Sequence, residues 1–201
     1  MAGVSTEQFM QRVVTFIERF EATLPEPVQQ VDWANTYAAR WTVEGQQGHL
    51  RPLKVSLTLR LDDLVGVERQ KALLGSNTGQ FVRGLPANNA LLWGSRGTGK
   101  SSLVRALLSE YAEQGMRLIE VDKADLVHLS ALLPQLAGQP WRFVLFCDDL
   151  AFEADDSGYK ALKTVLDGTV EAAPENLLLY ATSNRRHLLP EHNSDNLAAK
   201  Q

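Results

Sequence analysis

At residues 94–101 the chain reads Gly94-Ser95-Arg96-Gly97-Thr98-Gly99-Lys100-Ser101, which matches the phosphate-binding pattern G-x-x-x-x-G-K-[S/T] at every fixed position. Glycines let the backbone curl around phosphate oxygens and turn its N–H groups inward. Lys100 can reach the β- and γ-phosphates, and the Ser101 hydroxyl can bind Mg²⁺. Together with Ser102, at the positive end of the following helix, this loop is predicted to bind a nucleoside triphosphate.

The residues on both sides of this loop predict the strand and the helix that such a loop needs. Ala90-Leu91-Leu92-Trp93 is a short apolar run, typical of a buried strand. Residues 102–114 carry apolar side chains on one helical face, and Gly115 is a typical helix stop.

A second motif consists of a buried strand that ends in two carboxylates. Residues 143–147 are apolar, and Asp148 and Asp149 follow. The carboxyl end of such a strand opens where ligands bind in α/β sheets. We therefore assign Asp148, with Ser101, to Mg²⁺, and Asp149 to orienting or deprotonating the attacking water. The simpler alternative is that both acids only cap the strand.

Another apolar strand is predicted at 176–181, and the polar residues that follow it include Asn184. Asn184 could reach the γ-phosphate or its water from the adjacent strand. Arg185 and Arg186 follow, either in a solvated turn or compensating phosphate charge in this subunit or a neighbour. Cys147 lies in an apolar run, where burial raises the pKa of a thiol and leaves it inert.

From Leu61 onward, helices and strands alternate, which predicts an α/β fold with a parallel sheet covered on both faces. The predicted helices span 68–78, 102–114, 126–136 and 157–172, and the strands 90–93, 117–121, 142–147 and 176–181.

Residues 1–60 are predicted to form a separate N-terminal region, and residues 61–201 the nucleotide-binding core. An amphipathic helix starts at Ser5 and ends before Pro25; it packs in its own domain or docks on a partner. Residues 45–48 predict a turn, and the alternation over 53–60 predicts a strand. The aromatic residues at positions 33, 37 and 41 belong either to the core or to an exposed recognition stripe.

Composition is that of an ordinary globular chain: 201 residues, 44% hydrophobic, 22% charged, with a formal net charge of −4. No apolar stretch is long enough for a membrane span, the N-terminus is unlike a secretory signal, and one cysteine permits no disulfide within the chain. We expect a cytoplasmic protein. The sequence contains no block of clustered basic residues, so it does not indicate a nucleic-acid partner.

Together these motifs resemble those of the AAA+ ATPases. Leu61-Asp62-Asp63-Leu64-Val65-Gly66 resembles the segment that cradles adenine in that superfamily, which implies nucleotide contacts for Leu64, Val65 and Gly66. Residues 94–101 resemble Walker A, residues 143–149 Walker B, and Asn184 sensor 1. More narrowly, residues 60–195 resemble a bacterial AAA+ family known only as ATP-binding proteins of unknown function, in the segments 85–89, 118–123, 146–149 and 181–190. The resemblance implies ATP or ADP and Mg²⁺ as ligands.

Two departures from the superfamily pattern bear on activity. Asp149 stands where Glu is usual, and its shorter side chain could hold water less well; Glu153 is a possible substitute. The fifth strand, helical lid and arginine finger have no evident counterpart before Gln201. We therefore expect slow turnover by the isolated chain and an exposed sheet edge beside the P-loop strand, covered by a second copy or a protein partner.

Three functions remain open on the sequence. The first is an ATPase, with Lys100 on the phosphates and Asp149 and Asn184 acting on the water. The second is a nucleotide-dependent binding module with little hydrolysis. The third is a kinase for a small acceptor, which the tandem acids disfavour. A GTPase is disfavoured because the chain has no Asn-Lys-x-Asp motif.

Overall fold

The computed structural model of the protein describes residues 6–21, 30–45, 47–152, 156–167 and 174–185. Ser5, Pro25, Glu153, Arg186, the end of the helix predicted at 157–172 and the tail after residue 185 lie outside these ranges, and so do the predictions made for them. The chain divides into two compact units between Gln30 and Val31. Helix α1 (Thr6–Glu21) belongs to the first unit, and all other elements belong to the second.

The second unit is built on a six-stranded sheet, counted over the described residues, with the order β2-β1-β4-β5-β6-β3. The strands are β1 (Ala38–Glu44), β2 (Gln47–Leu53), β3 (Ala90–Trp93), β4 (Met116–Val121), β5 (Arg142–Cys147) and β6 (Leu177–Ser183). All neighbouring pairs are parallel except β1 and β2, which form an antiparallel hairpin. The predicted α/β fold with a parallel core is confirmed.

Helices cover both faces of this sheet, as the continuous apolar strands predicted. They are α2 (Glu68–Val82), α3 (Lys100–Tyr111), α4 (Leu129–Leu136) and α5 (Ser157–Asp167), with 3₁₀ turns at 61–63, 112–114 and 123–128. Strand β5 shows the alternation: Phe143 and Leu145 pack in the core that contains Leu132 of α4, whereas Val144 and Phe146 pack in the core that contains α3. The predicted helix at 126–136 is therefore a 3₁₀ turn followed by the shorter α4.

The strand predicted at 53–60 is wrong. Only Leu53, the last residue of β2, is paired; residues 54–60 pair with no strand, and their alternation reflects the half-burial of Leu57 and Leu59 as the chain crosses to α2. Pairing occurs upstream instead, in the β1–β2 hairpin, whose register runs from Ala38 opposite Leu53 to Glu44 opposite Gln47. The hairpin joins the core sheet through β4, and the second compact unit begins at Val31.

The aromatic residues of the N-terminal region belong to the core rather than to a recognition stripe. Trp41 is fully buried and Trp33 nearly so, and Trp33 contacts Phe143 edge to face with ring centroids 5.0 Å apart. Tyr37 is half-buried beside Arg117, whose guanidinium lies 5.0 Å from its ring centroid.

The Gly48→Ala variant is expected to lose about 1–3 kcal/mol of unfolding free energy, because overpacking a filled core forces shifts. A Cβ at Gly48 would lie 2.0 Å from Cζ2 of the buried Trp41. Gly75→Ala in α2 is the control: the nearest atom to its added Cβ, on Leu61, is 3.9 Å away, and alanine favours a helix. Urea unfolding of both variants checks this. An unchanged midpoint for Gly48→Ala would contradict the packing of Trp41 against β2.

Candidate functional site

The phosphate-binding loop joins β3 to α3, as predicted from its sequence. Gly97 and Gly99 have φ angles of 80° and 82°, in the left-handed region that favours glycine. Gly99 caps α3 and accepts the N–H of Leu103 at 2.9 Å. The Thr98 hydroxyl donates to the carbonyl of Ser95 at 2.9 Å, which closes the loop on itself. The loop therefore lies at the positive end of α3.

Lys100 turns back over this loop. Its Nζ donates to the carbonyl oxygens of Gly94 and Ser95 at 2.7 and 2.9 Å. A third bond, of 3.2 Å, reaches Oδ1 of Asn184 at the end of β6. Within the described part of the chain, Lys100 forms no ion pair with a carboxylate, so its charge is available to an anion.

The two predicted metal ligands lie next to each other. Ser101 Oγ donates to Oδ1 of Asp148 at 2.7 Å. The Thr182 hydroxyl also donates to this Oδ1. No described residue donates to Oδ2 of Asp148, so this oxygen is available. A serine hydroxyl beside a carboxylate is an oxygen donor set that suits Mg²⁺ bound together with phosphate oxygens.

Asp149 is the one non-glycine residue with a positive φ, 54°, among the residues described. Its N–H donates to Thr182 Oγ1 at 2.8 Å. Its side-chain Oδ1 accepts a 2.5 Å bond from Nδ2 of Asn184. Because Oδ1 of Asn184 contacts Lys100, this amide connects the lysine to the carboxylate that we predicted to be the base.

Two cavities meet at this site and share Gly99 and Lys100. The smaller has a volume of about 290 Å³ and is lined by Arg96, Gly97, Gly99, Lys100, Ser101, Ser102, Asp148, Asp149, Thr182 and Asn184. The larger, about 750 Å³, is lined by residues of α2, β3 and the phosphate-binding loop, with both apolar and polar side chains among them. The smaller cavity therefore brings together the predicted phosphate, metal and water residues.

Leu64, Val65 and Gly66, which we predicted to contact adenine, line neither cavity; Val67 lines the larger one. The carbonyl of Leu64 accepts a 2.8 Å bond from Lys71, and Val65 is 89% exposed. Their contact with nucleotide remains a prediction.

Thr182 is the residue that the sequence analysis missed. The signal was the change from apolar to polar residues at the end of β6, of which we used only Asn184. Among the other residues considered, Arg185 is exposed and donates its N–H to Ser183 Oγ at 3.1 Å, without lining the site. Burial, followed by the charge of Asp122, raises the pKa of the Cys147 thiol to about 12, which leaves it inert at neutral pH.

The loop, the acids after β5 and the strand order define a P-loop NTPase fold, in which β6 lies between the P-loop strand β3 and the acid-bearing strand β5. The chain belongs to the family described as a protein of unknown function, DUF815, whose model matches residues 34–201. No curated protein matches the chain.

Similar solved structures include RuvB of Thermotoga maritima, titled a Holliday junction branch migration motor, with 24% identity and a TM-score of 0.46 over 66% of this chain and 43% of that one. A mutant of the same RuvB gives 23% identity and a TM-score of 0.46 over 66% and 44%. The chain thus spans less than half the length of these structures. Such distant similarity carries no information on what this chain binds. Among the described residues, no helix is both long and apolar enough to cross a membrane.

Proposed function

We propose that this chain binds ATP with Mg²⁺ and hydrolyses it to ADP and phosphate. The observation that carries the proposal is the 2.7 Å contact between Ser101 and Asp148. It joins the phosphate loop to the acid strand, 47 residues apart in sequence, at the cavity that also contains Lys100, Asp149 and Asn184. Such convergence of loop, acid pair and amide is what phosphoryl transfer to water requires.

Each residue then has a defined part in the reaction. The N–H groups of residues 94–102 and the ammonium of Lys100 hold the phosphates. Ser101 and Asp148 would hold Mg²⁺, which neutralises phosphate charge when bound. Asp149 accepts a proton from the water as its oxygen forms the bond to the γ-phosphorus, and ADP leaves with the bridging oxygen. Asn184, bonded to Asp149 at 2.5 Å, orients the water.

The larger cavity supports a site for the nucleoside. It adjoins the loop at Gly94, Gly99 and Lys100, and offers the apolar side chains of Val67 and Leu73 for a flat base. The chain lacks an Asn-Lys-x-Asp motif, which favours adenine over guanine. Leu64, Val65 and Gly66 directly precede Val67, so they lie next in sequence to this cavity.

A second candidate function is a nucleotide-dependent switch that a protein partner reads. Among the described strands, β3 pairs on one side only, with β6. On this edge strand Leu91 is 38% and Trp93 56% exposed, and the strand runs directly into the phosphate loop. A second copy or another protein covering this edge would respond to nucleotide in the loop.

The experiment that tests the proposal measures ATP and ADP affinity and ATP turnover on the purified chain, with Mg²⁺, over a range of protein concentrations. Turnover that rises more than linearly with protein concentration supports an ATPase whose subunits complete each other's sites. Tight binding without turnover at any concentration supports the switch. Absence of ATP binding would contradict both functions.

A further inference from the structure

Thr182 contacts both acids of the site through a single hydroxyl. It lies on β6, between β5 and the edge strand β3, opposite Leu92 of β3, and is 1% exposed. Its Oγ1 donates to Oδ1 of Asp148 and accepts the N–H of Asp149 at 2.8 Å. A buried hydroxyl in contact with two exposed functional acids is more than a satisfied core group, because its hydrogen bonds run only to those acids.

The direction of these bonds determines how Asp148 is presented. A hydroxyl has one proton, and here this proton goes to Oδ1 of Asp148. Ser101 donates to the same oxygen. The Asp149 N–H also lies 3.2 Å from this oxygen, so three donors converge on Oδ1 of Asp148, whereas Oδ2 receives no donor from any described residue. Asp148 itself lines the smaller cavity. Ligating carboxylates depend on such outer partners for their orientation.

The same hydroxyl helps to maintain the left-handed backbone conformation of Asp149, which has a φ of 54°. A left-handed conformation costs a non-glycine residue about 1–2 kcal/mol. Three bonds from β6 hold the turn: Asp149 N–H to the Thr182 hydroxyl, Leu150 N–H to the Thr182 carbonyl at 2.7 Å, and the Ser183 hydroxyl to the Leu150 carbonyl at 2.6 Å. This turn brings the Asp149 carboxylate to Asn184.

We propose that Thr182 is a positioning residue that orients Asp148 toward the metal and Asp149 toward Asn184. The inference rests on the function proposed above and adds a residue that acts through both acids. Valine has nearly the shape of threonine but neither donates nor accepts a hydrogen bond. Thr182→Val therefore removes a donor to Asp148, which leaves that carboxylate less firmly oriented, and it removes the nearer of the two acceptors of the Asp149 N–H.

The test compares Thr182→Val with Thr182→Ser, which keeps the hydroxyl, and with Thr78→Val as a matched control. Thr78 of α2 is also fully buried, and its hydroxyl forms hydrogen bonds of 2.8 Å with the Leu74 carbonyl and with the Tyr180 hydroxyl of β6. For each variant, affinity for a non-hydrolysable ATP analogue is measured with Mg²⁺ and with EDTA, alongside kcat and the unfolding midpoint.

Thr182→Val is expected to need about 10–100-fold more Mg²⁺ for half of the Mg²⁺-dependent gain in analogue affinity. Its kcat should fall by a similar factor, and its affinity for the analogue in EDTA should be unchanged. Thr182→Ser should restore most of both. Thr78→Val should lose stability with wild-type Mg²⁺ dependence and kcat.

Wild-type Mg²⁺ dependence in folded Thr182→Val, or the same losses in Thr78→Val, would overturn the inference. If the wild-type chain binds the analogue with Mg²⁺ but has no turnover, hydrolysis fails, and the Mg²⁺ dependence alone decides the role of Thr182. A wild-type chain that binds no nucleotide overturns both.

Discussion

The Lys100→Ala variant is expected to bind ATP about 100-fold or more weakly than the wild type, because hydrogen bonds to charged groups contribute about 1.5–3 kcal/mol each and the lysine can make two with phosphates. In the structure the ammonium contacts two carbonyl oxygens of the loop, at 2.7 and 2.9 Å. It therefore already lies where the loop would enclose phosphate. Calorimetric titration with ATP and Mg²⁺ measures the loss.

Arg105→Ala is the matched control for this prediction. Arg105 lies on the same helix α3, its side chain is 63% exposed, and it lines neither cavity. Arg105→Ala removes one positive charge, as Lys100→Ala does. Any ATP affinity lost in Arg105→Ala therefore measures the long-range attraction between that charge and the phosphates. Near-normal ATP affinity of folded Lys100→Ala would mean that the loop is not the phosphate site.

The elements around the site could be predicted because each is bounded by a short local pattern. The apolar runs before Gly94, Asp148 and Asn184 predicted β3, β5 and β6, and two of these strands, β3 and β5, match the prediction at both ends, and β6 is within two residues of it at each end. The β1–β2 hairpin was missed because its stability comes from distant partners. Trp41 is fully buried but lies in a sequence with no clean alternation, whereas the regular alternation at 53–60 continues beyond the end of β2 at Leu53 into an unpaired segment.

Arg117 is a charged residue whose burial could not be predicted from the local sequence. In sequence it is a polar residue at the start of a strand, yet it is 2% exposed. Its guanidinium donates to the carbonyls of Trp33, Ala112 and Met116 and lies 3.8 Å from the ring centroid of Trp141. Burial lowers its pKa from the usual range. Local patterns do not contain these contacts, since Trp33 is 84 residues away.

For the site, the sequence indicated the groups but not their connections. Motifs predicted that Lys100, Ser101, Asp148, Asp149 and Asn184 would meet, because parallel strands end at one edge. That Asn184 contacts both the lysine and Asp149 depends on β6 lying between β3 and β5, and strand order is not encoded locally.

The Asp149→Asn variant is expected to bind ATP and Mg²⁺ as the wild type does and to lose turnover by about 100-fold or more, the usual effect of removing a general base. The amide has the size of the carboxylate but cannot take the proton of the water. Asparagine also tolerates the left-handed backbone, with its φ of 54°, so the turn at the end of β5 is retained. Steady-state phosphate release together with ATP titration separates the two effects.

Asp148→Asn is the comparison that distinguishes the two acids. Because Asp148 contacts Ser101, its neutralisation should raise the Mg²⁺ requirement, whereas Asp149→Asn should leave that requirement unchanged. Equal shifts in both variants would mean that the acids act as one metal site and that neither is the base. If Asp149→Asn hydrolyses ATP at the wild-type rate, Glu153 becomes the candidate base, and Glu153→Gln should then abolish turnover while ATP binding persists.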